Sequence, residues 1–94
     1  MARRSSISST RRVFSTIEVA ETIARILESL GFYVARHASN LLVMYSEKLL
    51  GSIHIYEDNC VFRVNPAWER DYIDIIERIK DVMKEVCRWR KIGL

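Results

Sequence analysis

The sequence predicts an α+β fold: a two-layer sandwich in the order α-β-β-β-β-α, its four-stranded antiparallel meander carrying two helices on one face. Three observations predict it. An amphipathic stripe with a capping signature stands near the start, a cluster of short β signals fills the middle, and a second amphipathic stripe follows. Two helices with one apolar stripe each need a shared partner, and one face of a sheet supplies it.

Residues 1–12, rich in serine and arginine, contain Arg3, Arg4, Arg11 and Arg12 with no acid. Ile7 is the one large apolar residue there after Met1, too little to order a segment by burial. This segment reads as a flexible basic arm, and residues 13–94 as a single α+β domain.

The first helix opens at Ser15-Thr16-Ile17-Glu18. Ser15 at N-cap and Glu18 at N3 form a capping box, and Phe14 with Val19 occupies the positions of a hydrophobic staple. Val19, Ala20, Ile23, Ile26, Leu27 and Leu30 recur at helical spacing. Glu21 and Arg25 stand at the favourable i,i+4 spacing on the other side. Gly31 follows the last apolar turn, where a left-handed residue is expected.

Strand-like runs cover 32–37, 41–45, 49–57 and 60–64. Turns are expected at Ala38–Asn40, Glu47-Lys48 and Asp58-Asn59. The last of these makes Ile55 oppose Phe62 and Ile53 oppose Val64 on the helix side. His54 then opposes Arg63, and Tyr56 opposes Val61, on the far side. The same bookkeeping sends Leu42 and Met44 to the helix side. It sends Leu41, Val43, Tyr45 and Leu50 to the far side, with Tyr33 and His37.

The second helix is expected to open at Asn65-Pro66, an N-cap and N1 pair, or after a turn, from Glu69. Tyr72, Ile75, Ile76, Ile79, Val82, Met83 and Val86 form its stripe, which runs to about Trp89. Arg88, Arg90 and Lys91 suit the negative end of its dipole.

Composition bounds the function. The chain has 94 residues, 49% hydrophobic and 29% charged, which is globular in class. No apolar run approaches the ~18 residues of a membrane span, and the arginines near the start precede no apolar segment of a secretory signal. A cytoplasmic protein without membrane contact is expected. The net charge of +3 is uneven. Residues 1–12 carry +4, 84–94 carry +3, and the body between them carries −4.

Cys60 and Cys87 match neither a zinc nor a CxxC pattern, and buried free thiols are the expectation. The chain has no glutamine, and arginine outnumbers lysine eleven to four. That composition leans toward hyperthermophile proteins, in which an intracellular Cys60–Cys87 disulfide is less unusual.

Catalysis finds little support. His37 and His54 are the only histidines, and HExxH, a phosphate-binding glycine loop and a nucleophile elbow are all missing. Strand parity separates Cys60 from His54, which denies them a nucleophile and base contact. No metal or cofactor is expected. The far sheet face, with Tyr33, His37, Val43, Tyr45, His54, Tyr56, Val61 and Arg63, is mainly apolar and aromatic, and such a patch is seldom left open on a monomer. The expectation is a non-catalytic homodimer paired through this face. Arg3, Arg4, Arg11, Arg12, Arg88, Arg90 and Lys91 would contact RNA or DNA. The alternative is a protein–protein adaptor with no nucleic-acid role.

Overall fold

The structure is a computed structural model in which residues 15–94 are described. The basic arm, with Arg3, Arg4, Arg11 and Arg12, and the staple residue Phe14 lie outside the described residues. The fold is the two-layer α+β sandwich, with one addition at the C-terminal end.

Helix α1 (Thr16–Ser29) starts on the capping box: the Glu18 amide donates to Ser15 Oγ, and the Ser15 amide donates to Glu18 Oε1. Val19, Ala20, Ile23, Ala24 and Leu27 are buried. The helix ends in a Schellman arrangement, the Gly31 amide donating to the Glu28 carbonyl and the Phe32 amide to that of Leu27. Gly31 has φ +102°, which a side chain would strain.

Strands β1 (Tyr33–His37), β2 (Asn40–Tyr45), β3 (Lys48–Ile55) and β4 (Asn59–Val64) form the antiparallel meander. Helix α2 (Ile73–Val86) follows, and then a short strand β5 (Lys91–Gly93) runs parallel to β4. The sheet order is β1-β2-β3-β4-β5, so β1 and β5 are its edges. Both helices pack with the strands around one core, to which Ile23, Leu27, Leu41, Leu50, Ile53, Ile55, Ile76, Ile79 and Met83 contribute fully buried side chains.

Three expected turns are displaced, with different consequences. The β3–β4 loop is closed by the Tyr56 amide donating to the Asn59 carbonyl. Its centre is Glu57-Asp58, so Ile53 opposes Phe62, Ile55 opposes Cys60, His54 opposes Val61 and Ser52 opposes Arg63. That is a shift of two residues, which changes partners and keeps every face. The β1–β2 turn has two residues, Ala38-Ser39, because His37 opposes Asn40. That is a shift of one residue, and it turns β2 over. Leu41 and Val43 are therefore buried, and Leu42 is 43% exposed.

The β2–β3 turn is Ser46-Glu47, both with positive φ. A bulge then sets Leu50 and Gly51 against Val43. Gly51 is needed there, since a Cβ would lie 2.5 Å from the Arg63 carbonyl oxygen. Leu50 is buried in the core and Leu49 is exposed. The expected far-face positions of Leu41, Val43 and Leu50 are thus corrected to the core.

Tyr45 is corrected too. Its ring lies 5.6 Å from Phe32 and 6.0 Å from Tyr72, and Tyr72 in turn lies 6.0 Å from Trp68. Lys48 Nζ stands 5.3 Å from the Trp68 ring centroid. This aromatic row packs against the core from the helix side. It also accounts for the late start of α2. Asn65 opens a turn in which its Oδ1 accepts from the Ala67 amide and its Nδ2 donates to the Leu49 carbonyl. Residues 66–72 stay in turns that bring Trp68 and Tyr72 to this row.

At the other end, α2 stops at Val86, with Cys87 as C-cap. Cys87 is joined to Cys60 in a disulfide, both residues being fully buried. The expectation of free thiols is corrected on this point. The bridge ties the end of α2 to β4, and the chain reverses to place β5 beside β4. The Lys91 amide donates to the Asp58 carbonyl and Arg90 Nε to the Tyr56 carbonyl. Arg88, Arg90 and Lys91 thus lie beyond the last turn of α2, where Lys84 is the basic residue.

Candidate functional site: the open face of the sheet

Register fixes what the open face carries. Alternation along each strand sends one set of side chains to the helices and the other away from them. At one end Tyr33, Met44 and Leu49 stand side by side on β1, β2 and β3. The next row is Ala35, Leu42, Ser52 and Arg63. The third is His37, Asn40, His54, Val61 and Gly93. Tyr56, Asn59 and Lys91 close the far end.

Of the residues expected on this face, Tyr33, His37, His54, Tyr56, Val61 and Arg63 are there; Val43 and Tyr45 are in the helix layer. Leu42, Met44 and Leu49 take the place of the aliphatic residues that moved inward. Apart from Val61 and Tyr56, the apolar area is consequently gathered at the Tyr33 corner, with Tyr33 65% exposed. Lys91, expected at a basic helix end as a nucleic-acid contact, joins the face through β5.

The centre is polar. Asn40 Oδ1 lies 3.0 Å from His54 Nδ1, and Ser52 Oγ lies 2.9 Å from His54 Nε2. A carboxamide oxygen only accepts, so Nδ1 carries a proton, and in the neutral ring Nε2 accepts from the Ser52 hydroxyl. The imidazole is thereby fixed at both nitrogens. Asn40 went unnoticed in the sequence because the expected three-residue turn absorbed it. The order hydroxyl, imidazole, carboxamide resembles a nucleophile with its base and orienting group. The backbone amides of β3 are not free to stabilise an oxyanion beside it, because β3 is an inner strand, hydrogen-bonded to β2 and β4. Among the described residues, no group of three or more His, Cys, Asp or Glu could hold a metal ion. No helix among them is long and apolar enough to cross a membrane.

The charge pattern is the clearest feature. None of the five strands contains an aspartate or a glutamate. Every carboxylate side chain belongs to a helix or a connection: Glu18, Glu21 and Glu28 in α1, Asp74, Glu77, Asp81 and Glu85 in α2, the rest in the loops. The basic strand residues divide by face. Arg36 and Lys48 point to the helix layer, where Arg36 binds Glu21 and Glu28 and Lys48 sits over Trp68. Arg63 and Lys91 point to the open face. A body of net negative charge therefore presents a sheet face of positive charge, with acids Glu47, Glu57 and Asp58 only in its hairpin loops.

In the connection between α2 and β5, Trp89 is 81% exposed and Arg88 stacks 5.7 Å from its ring centroid. Arg88 also stands 3.9 Å from Glu85, which partly offsets its charge. Comparison with protein-family models, with curated proteins and with solved structures finds no match to this chain.

Proposed function

We propose that this is a non-catalytic binding protein whose open sheet face receives single-stranded nucleic acid. The observation that supports it is the segregation of charge: five strands without a carboxylate, and Arg63 and Lys91 on the face away from the acidic helices. Phosphates are attracted to such a face, and exposed tyrosine rings offer stacking surfaces that tolerate any base. Tyr33 and Tyr56 stand at opposite ends of the face, with Arg63, His54 and Ser52 between them. The basic arm, with Arg3, Arg4, Arg11 and Arg12, adds charge that follows the backbone of the ligand, as do Arg88 and Arg90 next to Lys91. A homodimer packed through this same face is the competing reading, and the apolar corner of Tyr33, Leu42, Met44 and Leu49 favours it. That corner is smaller than the sequence suggested, since Val43, Tyr45, Leu41 and Leu50 are inside.

Fluorescence anisotropy with labelled oligo(U) and oligo(dT), read across a salt series, tests the proposal. Affinity should fall linearly with salt on logarithmic axes. Arg63→Glu with Lys91→Glu should weaken binding at least tenfold and reduce the slope by roughly 1.4, about 0.7 per lost phosphate contact. Binding that is absent at low salt, or unaffected by the pair, removes the face as the contact. If the pair instead dissolves a dimer and spares nucleic-acid binding, the face is an interface and the arm is the contact. Replacing Arg3, Arg4, Arg11 and Arg12 by alanine then abolishes the affinity.

A further inference from the structure

The two edges of the sheet are protected differently. Edge β5 is three residues long and begins with Lys91. Short length and a lysine are ordinary ways of keeping a sheet edge from pairing with another chain. Edge β1 has neither. It runs five residues, Tyr33 to His37, in regular register with β2, without proline, glycine or bulge. Its one full charge, Arg36, is directed to the helix side and held by four hydrogen bonds to Glu21 and Glu28 of the same chain. That charge no longer repels a neighbour.

The pairing pattern of β1 is also self-complementary. His37 and Asn40 flank a two-residue turn and form its hydrogen-bonded closing pair. Hydrogen-bonded and non-bonded positions alternate along an antiparallel ladder. Tyr33, Ala35 and His37 therefore turn their backbone groups toward β2, and Val34 and Arg36 turn theirs outward. Two outward residues on either side of Ala35 match themselves under a two-fold axis at Ala35. Val34 of one copy then meets Arg36 of the other, in both directions, and the two Ala35 residues face each other.

We propose that the chain forms a homodimer by antiparallel pairing of β1 with β1 of a second copy, about an axis through Ala35. The occupant is a second copy because the outward positions of the edge match themselves in register, and because Arg36 is already held by carboxylates of its own chain. A two-fold axis of this kind runs perpendicular to the sheet, so both helix layers fall on one side and both open faces on the other. Tyr33 of each copy comes beside His37 of its partner. The dimer presents one continuous sheet face with Arg63 and Lys91 on each half, whether or not that face takes nucleic acid.

Light scattering on the full chain should give twice the 11.0 kDa of a single chain. Ala35→Lys and Ala35→Glu should each weaken the dimer at least tenfold, because like charges then meet across the axis. Mixing the two variants should restore a dimer, since the facing charges become opposite. Arg63→Glu, on the same face but on β4, should leave the dimer intact. Amide hydrogen exchange gives a reading without substitution: the Val34 and Arg36 amides should be protected in the wild-type protein, although neither faces β2. A monomeric wild type overturns the proposal. So do fast exchange at Val34 and Arg36, failure of the mixed variants to reassociate, or loss of the dimer on Arg63→Glu, which would indicate packing face to face. Protection of these amides in a monomer bound to another protein's extended segment would assign the edge to a different occupant and overturn it as well.

Discussion

Arg36 shows how much a single side chain can settle. Its guanidinium receives Glu21 on one side, with Nε 2.7 Å from Oε1, and Glu28 on the other, with Nη1 2.8 Å from Oε2. The sequence offered Arg25 as the partner of Glu21, at helical spacing. The structure gives Glu21 to a strand residue fifteen positions away, because a planar fork binds a carboxylate at two points. Hydrogen bonds from Arg36, and then its charge, lower the pKa of both Glu21 and Glu28 below the ordinary 4.5. A depressed carboxylate pKa stabilises the fold above the unfolded value, and that gain is lost as pH falls through the folded value. Thermal unfolding followed from pH 7 down to pH 3 should therefore show a drop below about pH 4.5 that Arg36→Gln flattens. The effect should be small, since all three side chains are open to solvent screening.

At the scale of elements, β2 separates what a pattern states from what it leaves open. Its sequence Asn40-Leu41-Leu42-Val43-Met44-Tyr45 is apolar on both faces. Burying Leu41 with Val43, or Leu42 with Met44, removes a similar apolar area, so the hydrophobic effect alone scarcely distinguishes the two registers. The turns do not announce it either, because they carry no signature. Ala38, Ser46 and Glu47 adopt positive φ without being glycine or asparagine, at a cost of about 1–2 kcal/mol each. Burying two large apolar side chains offsets that, at about 1.5–3 kcal/mol apiece. The two faces of β2 can be told apart by urea denaturation. Leu41→Ala should cost about 2–5 kcal/mol, and Leu42→Ala no more than about 0.5 kcal/mol. Equal costs would mean that the strand is not held in one register. The β3–β4 hairpin was readable because Ile53, Ile55 and Phe62 alternate with His54, Tyr56 and Arg63. Even a misplaced turn left those residues on their proper faces.

Over the whole molecule, the Cys60–Cys87 disulfide closes the structure. It spans 27 residues and joins the inner side of β4 to the end of α2. A crosslink of that length restricts the unfolded chain by roughly 3–4 kcal/mol. Cys87→Ala, or unfolding in the presence of dithiothreitol, should lower stability by about that amount, measured by urea titration. An unchanged midpoint would indicate that the two sulfurs are not joined in solution. Strand β5 depends on the same point, because the chain reverses at Cys87 before it reaches β4. Position and charge come together here. The reversal brings Lys91 to a face that already holds Arg63, while the carboxylates stay with the helices and the loops.

The sequence by itself determined the α+β class, the capping box at Ser15, the glycine at the end of α1 and the outward side of the β3–β4 hairpin. These are local matters, set by hydrogen bonds within one turn or by strict alternation of apolar and polar residues. It also contained the absence of acids from the strands, which gains meaning only once the strands form a single sheet. Tertiary structure alone decided the face of β2, the place of Tyr45 in the aromatic row, the union of Cys60 with Cys87 and the existence of β5. Each of these depends on contacts between residues far apart in the chain. Where a segment is apolar on both sides, or a turn lacks its usual residues, those distant contacts supply the energy difference that the local pattern does not.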